Sequence, residues 1–313
     1  MRILVTGGAG FIGSHLCDAL AARGDEIWCV DNLYLGREEN IAHLRQGDRF
    51  HFHKLDVLNR EELDRLFVDG RFEAVFHLAA NSDISLGNAD HSLDLRLTFQ
   101  TTVEVVEAMA RHGVERLLFA STSAVFGDTR QLLSETSSPM QPVSFYGAAK
   151  LASEAYISVF AHSFGIRARV LRFPNVVGER STHGALYDFV ARLRQDPRRL
   201  RVLGNGKQTK PYLYVKDLVR AILTVWDQAT EPLAVYHVAG EGLTSVRQIA
   251  EIVVGEMGLA GIPIEYTGGD RGWVGDVPYF QYDCSRIRAL GFQPTYDSTQ
   301  AVQVAVRRML GKQ

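Results

Sequence analysis

Residues 2–13 read RILVTGGAGFIG: a short apolar run, four glycines within seven positions, then the start of an amphipathic stretch. Glycine lets a backbone turn tightly and lets another group approach it closely. A glycine-rich turn between a strand and a helix is also where a parallel sheet takes up phosphate, because free N–H groups and the positive end of the helix face the ligand there. Gly7, Gly10 and Gly13 give G-x-x-G-x-x-G, and Gly8, Gly10 and Gly13 give G-x-G-x-x-G from the same stretch. Either reading, in this strand–turn–helix setting, predicts a dinucleotide-binding loop.

The rest of the chain is consistent with that start. Short apolar or β-branched runs at 2–6, 26–30, 50–55, 74–79, 116–121 and 167–172 alternate with longer stretches of helical pattern at 12–23, 60–67, 94–112 and 145–164. Alternating βα units predict an α/β fold, a doubly wound parallel sheet of Rossmann type with helices on both faces. The pattern loosens after RFPNVVGER (172–180) and becomes rich in Gly, Pro and aromatic residues. We therefore expect a dinucleotide-binding domain over 1–174, with 211–240 returning to it, and a smaller C-terminal substrate domain made of 175–210 and 241–313. At 313 residues, 46% of them hydrophobic, the chain is long enough for both cores.

Charge and cysteine content exclude several classes. A net charge of −2 gives no electrostatic footprint for nucleic acid or an anionic membrane. No run approaches the roughly 18 apolar residues of a membrane span, and MRILVTGG lacks the apolar core of a signal peptide. Cys17, Cys29 and Cys284 are odd in number, separated in sequence and without metal-ligand spacing. They read as reduced thiols of a cytoplasmic protein.

The second strand ends at Asp31, eighteen residues after Gly13. A carboxylate there accepts hydrogen bonds from ribose hydroxyls and repels a 2′-phosphate, which favours NAD over NADP. No Arg follows in DNLYLG to reverse the preference. An ordinary Asp at a loop start is the alternative. Asp56, after the third strand, is a similar candidate near the adenine.

YGAAK places Tyr146 and Lys150 at i and i+4, on one helical face. A nearby ammonium favours the phenolate, so Tyr146 is expected to have a lowered pKa and to act as a base. A second copy of the spacing, Tyr212 and Lys216, falls in a strand-like stretch and reads as structural. ASTSAVFG follows the fifth strand at the carboxyl edge of the sheet, where Thr122 and Ser123 either meet a substrate hydroxyl or make a turn.

With these pieces in place the chain resembles the extended short-chain dehydrogenases/reductases of the nucleotide-sugar epimerase/dehydratase family, its UDP-glucose/UDP-galactose 4-epimerases included. TGGAGFIG, DNL, LDV, HLAA, STSAVFG, YGAAK, RFPNVVG, YLYVKDL and GDVP occur in the family's order and spacing over nearly the whole chain. The resemblance implies that Tyr146 is catalytic, that Lys150 holds the nicotinamide ribose and that Thr122 is the hydroxyl partner. It implies an NAD site that takes in Gly7, Gly10, Phe11, Ile12, Gly13, Asp31, Asn32, Asp56, Val57, Leu78, Ala79, Ala80, Tyr146 and Lys150. It further implies nucleotide and phosphate contacts from Asn175, Lys210 and Asp276, and a homodimer built on the helices over 94–112 and 145–164. The apolar faces of those helices are equally explained by core packing.

The departures from the family pattern bear on the reaction. The family's 4,6-dehydratases carry an Asp-Glu pair after the Thr; here the positions hold Ser123 and Ala124. Elimination then lacks its acid and base. Oxidation and re-reduction at one carbon needs only Tyr146, Lys150, Thr122 and NAD, so the expectation is C4 epimerisation of a nucleotide hexose, a UDP sugar favoured. The alternatives are a ketosugar reductase or dehydratase of the same family, or a non-catalytic NAD-binding protein. Lys210 stands where the 4-epimerases carry an Arg, and supplies charge without the bidentate fork. Trp273 stands where they often carry a second Arg; Arg271 takes over that contact, or Trp273 stacks on the base, or Trp273 merely packs. Ser82 and Asp83 either touch the sugar or form an exposed loop. His183 lies in a substrate loop. His77 packs near the cofactor cleft, and His51 and His53 alternate on a strand without a third metal ligand.

Overall fold

The computed structural model describes residues 1–272 and 275–312. Apolar runs buried on both faces become strands: β1 (Arg2–Thr6), β2 (Glu26–Asp31), β3 (Phe50–Lys54) and β4 (Ala74–His77). Between them run helices α1 (Phe11–Ala22) and α2 (Arg60–Gly70). Asn59 caps α2 by accepting from the Glu62 N–H, Glu61 and Glu62 suit the positive end of its dipole, and Arg71 closes it in a left-handed conformation.

After β4 come α3 (Ile84–Ala89), α4 (His91–Asp94), a π-helical segment (Leu95–Gln100), α5 (Thr101–Arg111) and β5 (Arg116–Thr122). Next are β6 (Leu132–Leu133), α6 (Phe145–Phe164) and β7 (Arg167–Phe173). The remainder holds β8 (Asn175–Val177), α7 (Ala185–Gln195), β9 (Leu200–Val202), β10 (Thr209–Lys210), β11 (Tyr212–Tyr214), α8 (Val215–Gln228) and β12 (Leu233–His237). It ends with β13 (Thr244–Ser245), α9 (Val246–Glu256), β14 (Ile264–Tyr266), β15 (Gln281–Tyr282), α10 (Ser285–Ala289) and α11 (Ser298–Met309).

Seven strands form one sheet in the order β12-β7-β5-β4-β1-β2-β3, parallel throughout. This is the doubly wound α/β sheet expected from the alternation. The chain winds outward from β1 to β3, then crosses to β4 and winds the other way. The switch point lies between β1 and β4, where such sheets bind ligands beyond their carboxyl ends. One face is closed by α1 and α8 through Leu16, Leu20, Val225 and Trp226. The other is closed by α2, α5 and α6 through Leu63, Phe67, Val105, Met109 and Ile157. A third core gathers Val177, Leu186, Phe189, Leu200, Tyr214, Ile249, Val253, Val302 and Val306 from β8, α7, β9, β11, α9 and α11.

The helix expected over 94–112 is not one regular helix. Thr101 Oγ1 donates back to the carbonyls of Leu97 and Thr98, and Thr102 Oγ1 donates to that of Thr98. Threonines that bond to the preceding turn loosen a helix, and here the loosened turn is the π segment between α4 and α5. The helix read over 145–164 keeps those bounds. Ser144 caps its start at 3.1 Å from the Gly147 N–H, and Gly165, with φ 72, ends it.

Candidate active site

The glycine loop follows β1 and caps α1. Gly7 is left-handed, with φ 71, and its N–H donates to the Val30 carbonyl at 2.8 Å. A Cβ on Gly7 would lie 2.7 Å from the Ala79 nitrogen, and one on Gly13 would strike the Gly7 carbonyl. The loop is therefore closed against itself and against the end of β4, with backbone as its surface. Gly10 is the N-cap of α1, which Phe11 and Ile12 begin. Gly8 has another constraint: beneath it lie the thiols of Cys17 and Cys29, both buried and free, which hydrogen-bond to each other. The cysteines are far apart in sequence but adjacent in the fold.

At the end of β2, Asp31 is 8% exposed, with Oδ1 accepting from the Leu33 N–H at 2.8 Å and Oδ2 from the Ala9 N–H at 3.0 Å. Burial raises its pKa, while these donors and the Gly10 N–H oppose the shift. Asn32 Nδ2 donates to Asp56 Oδ2 at 3.1 Å, so β2 and β3 bring both residues to one edge beside the glycine loop. Val57 is buried just beyond. Leu78, Ala79 and Ala80 leave the sheet after β4, where Thr6 Oγ1 accepts from the Ala79 N–H at 3.3 Å. His77 is buried between Thr6 Oγ1 at 2.7 Å and Thr102 Oγ1 at 3.2 Å, and burial, then the Lys150 charge, pushes its pKa down to about 3. It is held neutral as a bridge between β1 and α5. His51 and His53 flank the Trp28 ring, each 4.9 Å centre to centre.

Thr122 ends β5, and its hydroxyl hydrogen-bonds Tyr146 at the start of α6. Lys150, one turn on, is 1% exposed and donates through Nζ to the Ala120 carbonyl at 2.8 Å. The expected lowering of the Tyr146 pKa by Lys150 is not what the structure holds. Burial of the phenol is the largest influence and drives its pKa up, the Thr122 hydrogen bond opposes this, and Asp94 adds to the rise. Lys150 Nζ, 5.9 Å from the Tyr146 ring centre, is engaged by Ala120 instead. Burial also brings Lys150 down to about 7, against the pull of Glu154 and Asp94.

Among the substrate-side residues, Lys210 Nζ and Asp276 Oδ1 form a 2.7 Å ion pair with only 11% and 3% of their side chains exposed, and Asp276 Oδ2 accepts from the Gly272 N–H. Asn175 is the register partner of Tyr212 in the β8–β11 pair and hydrogen-bonds its phenol. Arg271 reaches across to Asp128, in the loop that follows β5, at 2.6 Å. The Ser82 carbonyl accepts from His183 Nε2 at 3.1 Å. Ser123 lies at the first position of the 3₁₀ turn that follows Thr122. Tyr212 is in β11 and Lys216 in α8, so the second Tyr/Lys pair shares no helical face. Trp273 lies outside the described residues. Sequence reasoning missed Asp94, 1% exposed and bonded to Asn81 and Thr98. The available signal was a charge between two leucines on a helix face otherwise read as apolar.

The backbone cradle, the α1 N-terminus and the carboxylate at the end of β2 are of the kind that holds an NAD dinucleotide. The model of the NAD dependent epimerase/dehydratase family matches residues 3–239. The chain belongs to that family. A UDP-glucose 4-epimerase of Mycolicibacterium smegmatis is 29% identical over 299 residues, 94% of each chain. A crystal structure of a UDP-galactose 4-epimerase is 35% identical, with a TM-score of 0.88 over 99% of both chains. A dTDP-glucose 4,6-dehydratase of Streptomyces venezuelae, solved with NAD bound, is 26% identical, with a TM-score of 0.90 over 98% of this chain and 96% of its own. This family member is an NAD-dependent enzyme of the nucleotide-sugar epimerase/dehydratase type, and no helix among its described residues is long and apolar enough to cross a membrane.

Proposed function

We propose that this enzyme is a nucleotide-sugar 4-epimerase, acting on an NDP-hexose and most readily on a UDP sugar. The observation that carries the reading is the composition of the site after β5. Thr122, Tyr146 and Lys150 are assembled, while the next two positions are Ser123 and Ala124. The site has a base for a hydroxyl proton and no carboxylate at the positions where elimination would need an acid–base pair.

In this reading Tyr146 accepts the proton of the C4 hydroxyl and returns it to the same oxygen after the ketosugar turns, and the hydride that leaves C4 comes back to its opposite face. Thr122 orients the phenol and shares the hydroxyl. Lys150, anchored on the Ala120 carbonyl, binds the nicotinamide ribose. Bound NAD supplies a reversible two-electron acceptor for C4. Gly7, Gly10, Phe11, Ile12 and Gly13 hold its pyrophosphate, Asp31 and Asn32 the adenosine ribose, Asp56 and Val57 the adenine, and Leu78, Ala79 and Ala80 line its path to the sheet. Ser82 and Ser123 face the sugar, with Asn175, Lys210, Arg271 and Asp276 on the nucleotide and pyrophosphate from the smaller substrate domain. Lys210 leaves Asp276 to neutralise phosphate, and Asp276 turns to the nucleotide ribose.

The protein is cytoplasmic in this reading and a homodimer. Leu95, Tyr156, Val159 and Phe164, all 46–58% exposed on the π segment and α6, give the apolar face that pairing would cover. The test is incubation of purified enzyme, without added cofactor, with UDP-glucose, UDP-galactose, their N-acetylated counterparts and dTDP-glucose, with products read by NMR. C4 epimers formed by enzyme that carries NAD through purification support the reading. A product short of one water, or turnover only with supplied NADPH, overturns it.

A further inference from the structure

Three side chains spaced four apart on α6 meet the carboxyl end of β5: Tyr146 at Thr122, Lys150 at Ala120 and Glu154 at Ser121. That spacing places them on one helical face. Tyr146 and Lys150 belong to the mechanism above; Glu154 has no part in it. Glu154 Oε1 accepts from Ser121 Oγ at 2.5 Å and from Arg172 Nε at 3.0 Å, and Oε2 accepts from Arg172 Nη2 at 2.7 Å. Ser121 and Arg172 are register partners on β5 and β7, so their side chains leave the sheet on the same face and reach one carboxylate. The Arg172 guanidinium also lies over the Phe126 ring, 4.9 Å from its centre, and donates to the Glu135 carbonyl at 3.3 Å. Phe126 closes the 3₁₀ turn that Thr122 caps, with Thr122 Oγ1 accepting from the Ala124 N–H at 3.2 Å. The ion pair thus grips this segment at Ser121, just before Thr122, and at Phe126, at the end of its turn.

We propose that Glu154 is a positioning residue of the active site, its carboxylate joining Ser121 of β5 to Arg172 of β7 and so fixing, against α6, the strand end that carries the Lys150 anchor and Thr122. The proposal rests on the reading of Thr122, Tyr146 and Lys150 as the catalytic group. The side chains of Glu154 and Arg172 are 10% and 3% exposed. Desolvation offsets most of the attraction within a buried ion pair, so its place gives it a role that its strength does not. Ser121 stands between the Ala120 carbonyl that holds Lys150 and the Thr122 hydroxyl that meets Tyr146. A shift of Ser121 moves both, and misplacement of reacting groups by about 1 Å costs up to about 10²-fold in rate.

The test is Ser121→Ala, which cuts the pair from β5 while leaving Glu154 and Arg172 together. On NAD-loaded enzyme, kcat for C4 epimerisation should fall by about 10–100-fold, with KM for the sugar nucleotide and retention of NAD nearly unchanged. Glu154→Gln keeps an acceptor for Ser121 but unpairs Arg172, so it should also lower Tm. Combined with Ser121→Ala, its loss in kcat should be less than additive, because the two variants break one link. A readout without turnover is NMR of ¹³Cζ-labelled tyrosine at fixed pH, the Tyr146 resonance being assigned by its absence in Tyr146→Phe. In Ser121→Ala it should move towards its position in Thr122→Ala. An unmoved Tyr146 resonance, or a lowered Tm with kcat unchanged, would overturn the proposal and leave the ion pair a packing element. If no sugar nucleotide is epimerised, the functional reading fails, and the Tyr146 resonance alone decides the role of Glu154.

Discussion

Lys150 Nζ lies 5.9 Å from the centre of the Tyr146 ring and spends its hydrogen bond on the Ala120 carbonyl at 2.8 Å. The lysine is thus anchored to β5 rather than to Tyr146. Tyr146→Phe leaves that anchor and the ring packing intact. It should retain bound NAD but lose turnover by about 10²–10⁴-fold, the range for a positioned acid or base. Thr122→Ala should lose less, since the phenol remains. Cofactor content and single-turnover rates check both, and a Tyr146→Phe enzyme of undiminished rate would remove the proposed base.

Asp31 is expected to set cofactor choice. Its carboxylate is held by the N–H groups of Leu33 and Ala9, so it is already aimed rather than mobile. Asp31→Ser should weaken NAD binding by tenfold or more, the effect of losing charged hydrogen bonds worth about 1.5–3 kcal/mol. It should also narrow the gap to NADP by removing repulsion of the 2′-phosphate. Calorimetric binding of both cofactors to cofactor-free enzyme measures this; equal wild-type affinity for the two would contradict it.

Two glycines separate loop geometry from general helix effects. In Gly13→Ala the new methyl group strikes the Gly7 carbonyl, which is backbone and cannot swing away. The substitution should cost about 1–3 kcal/mol of stability, as overpacking does, and should abolish retention of NAD. Gly255, near the end of α9, has nothing within 4 Å of where its Cβ would stand. Gly255→Ala should be neutral or stabilise by up to about 1 kcal/mol. Thermal unfolding and the absorbance ratio of the purified variants report the two effects.

Acid should weaken the fold through two buried histidines. Burial, then the Lys150 charge, brings His77 down to about 3, and burial, then the Arg172 charge, brings His237 down to about 3. In the unfolded chain both titrate near ~6.5. Between those values the unfolded state binds more protons, so stability rises with pH there. The contribution is present in full above about 6.5 and is lost as pH falls towards 3. Urea midpoints should fall steadily from pH 7 to pH 4, and His237→Phe, which keeps the ring stacked on Tyr282, should show a flatter slope. An unchanged slope would remove His237 from this account.

The parts of the fold that could be read from sequence are those with local causes. Period and turn chemistry mark β1, the glycine loop and α1, and Ser144 and Gly165 mark both ends of α6. The π segment escapes such reading because Thr98, Thr101 and Thr102 look helical in periodicity; their back-bonding shows only in three dimensions. The Lys210–Asp276 and Arg271–Asp128 pairs join residues distant in sequence, so Lys210, Asp276 and Arg271 were legible as ligand-binding candidates while Asp128 and both pairings were not. Tyr146 shows the same limit. Its spacing to Lys150 was legible, whereas the desolvation that dominates its proton affinity depends on burial.

The central claim is that one carbon is oxidised and reduced in place, and the most direct measurement is epimerisation in heavy water. The proton that Tyr146 moves is on oxygen, and nothing in Thr122, Ser123, Ala124 or Lys150 provides for exchange at carbon. Mass spectrometry and NMR of the recovered sugar nucleotide should therefore show both C4 epimers at equilibrium, no deuterium on carbon and no loss of water. Stoichiometric deuterium at C3 or C5, or a dehydrated product, would contradict the account.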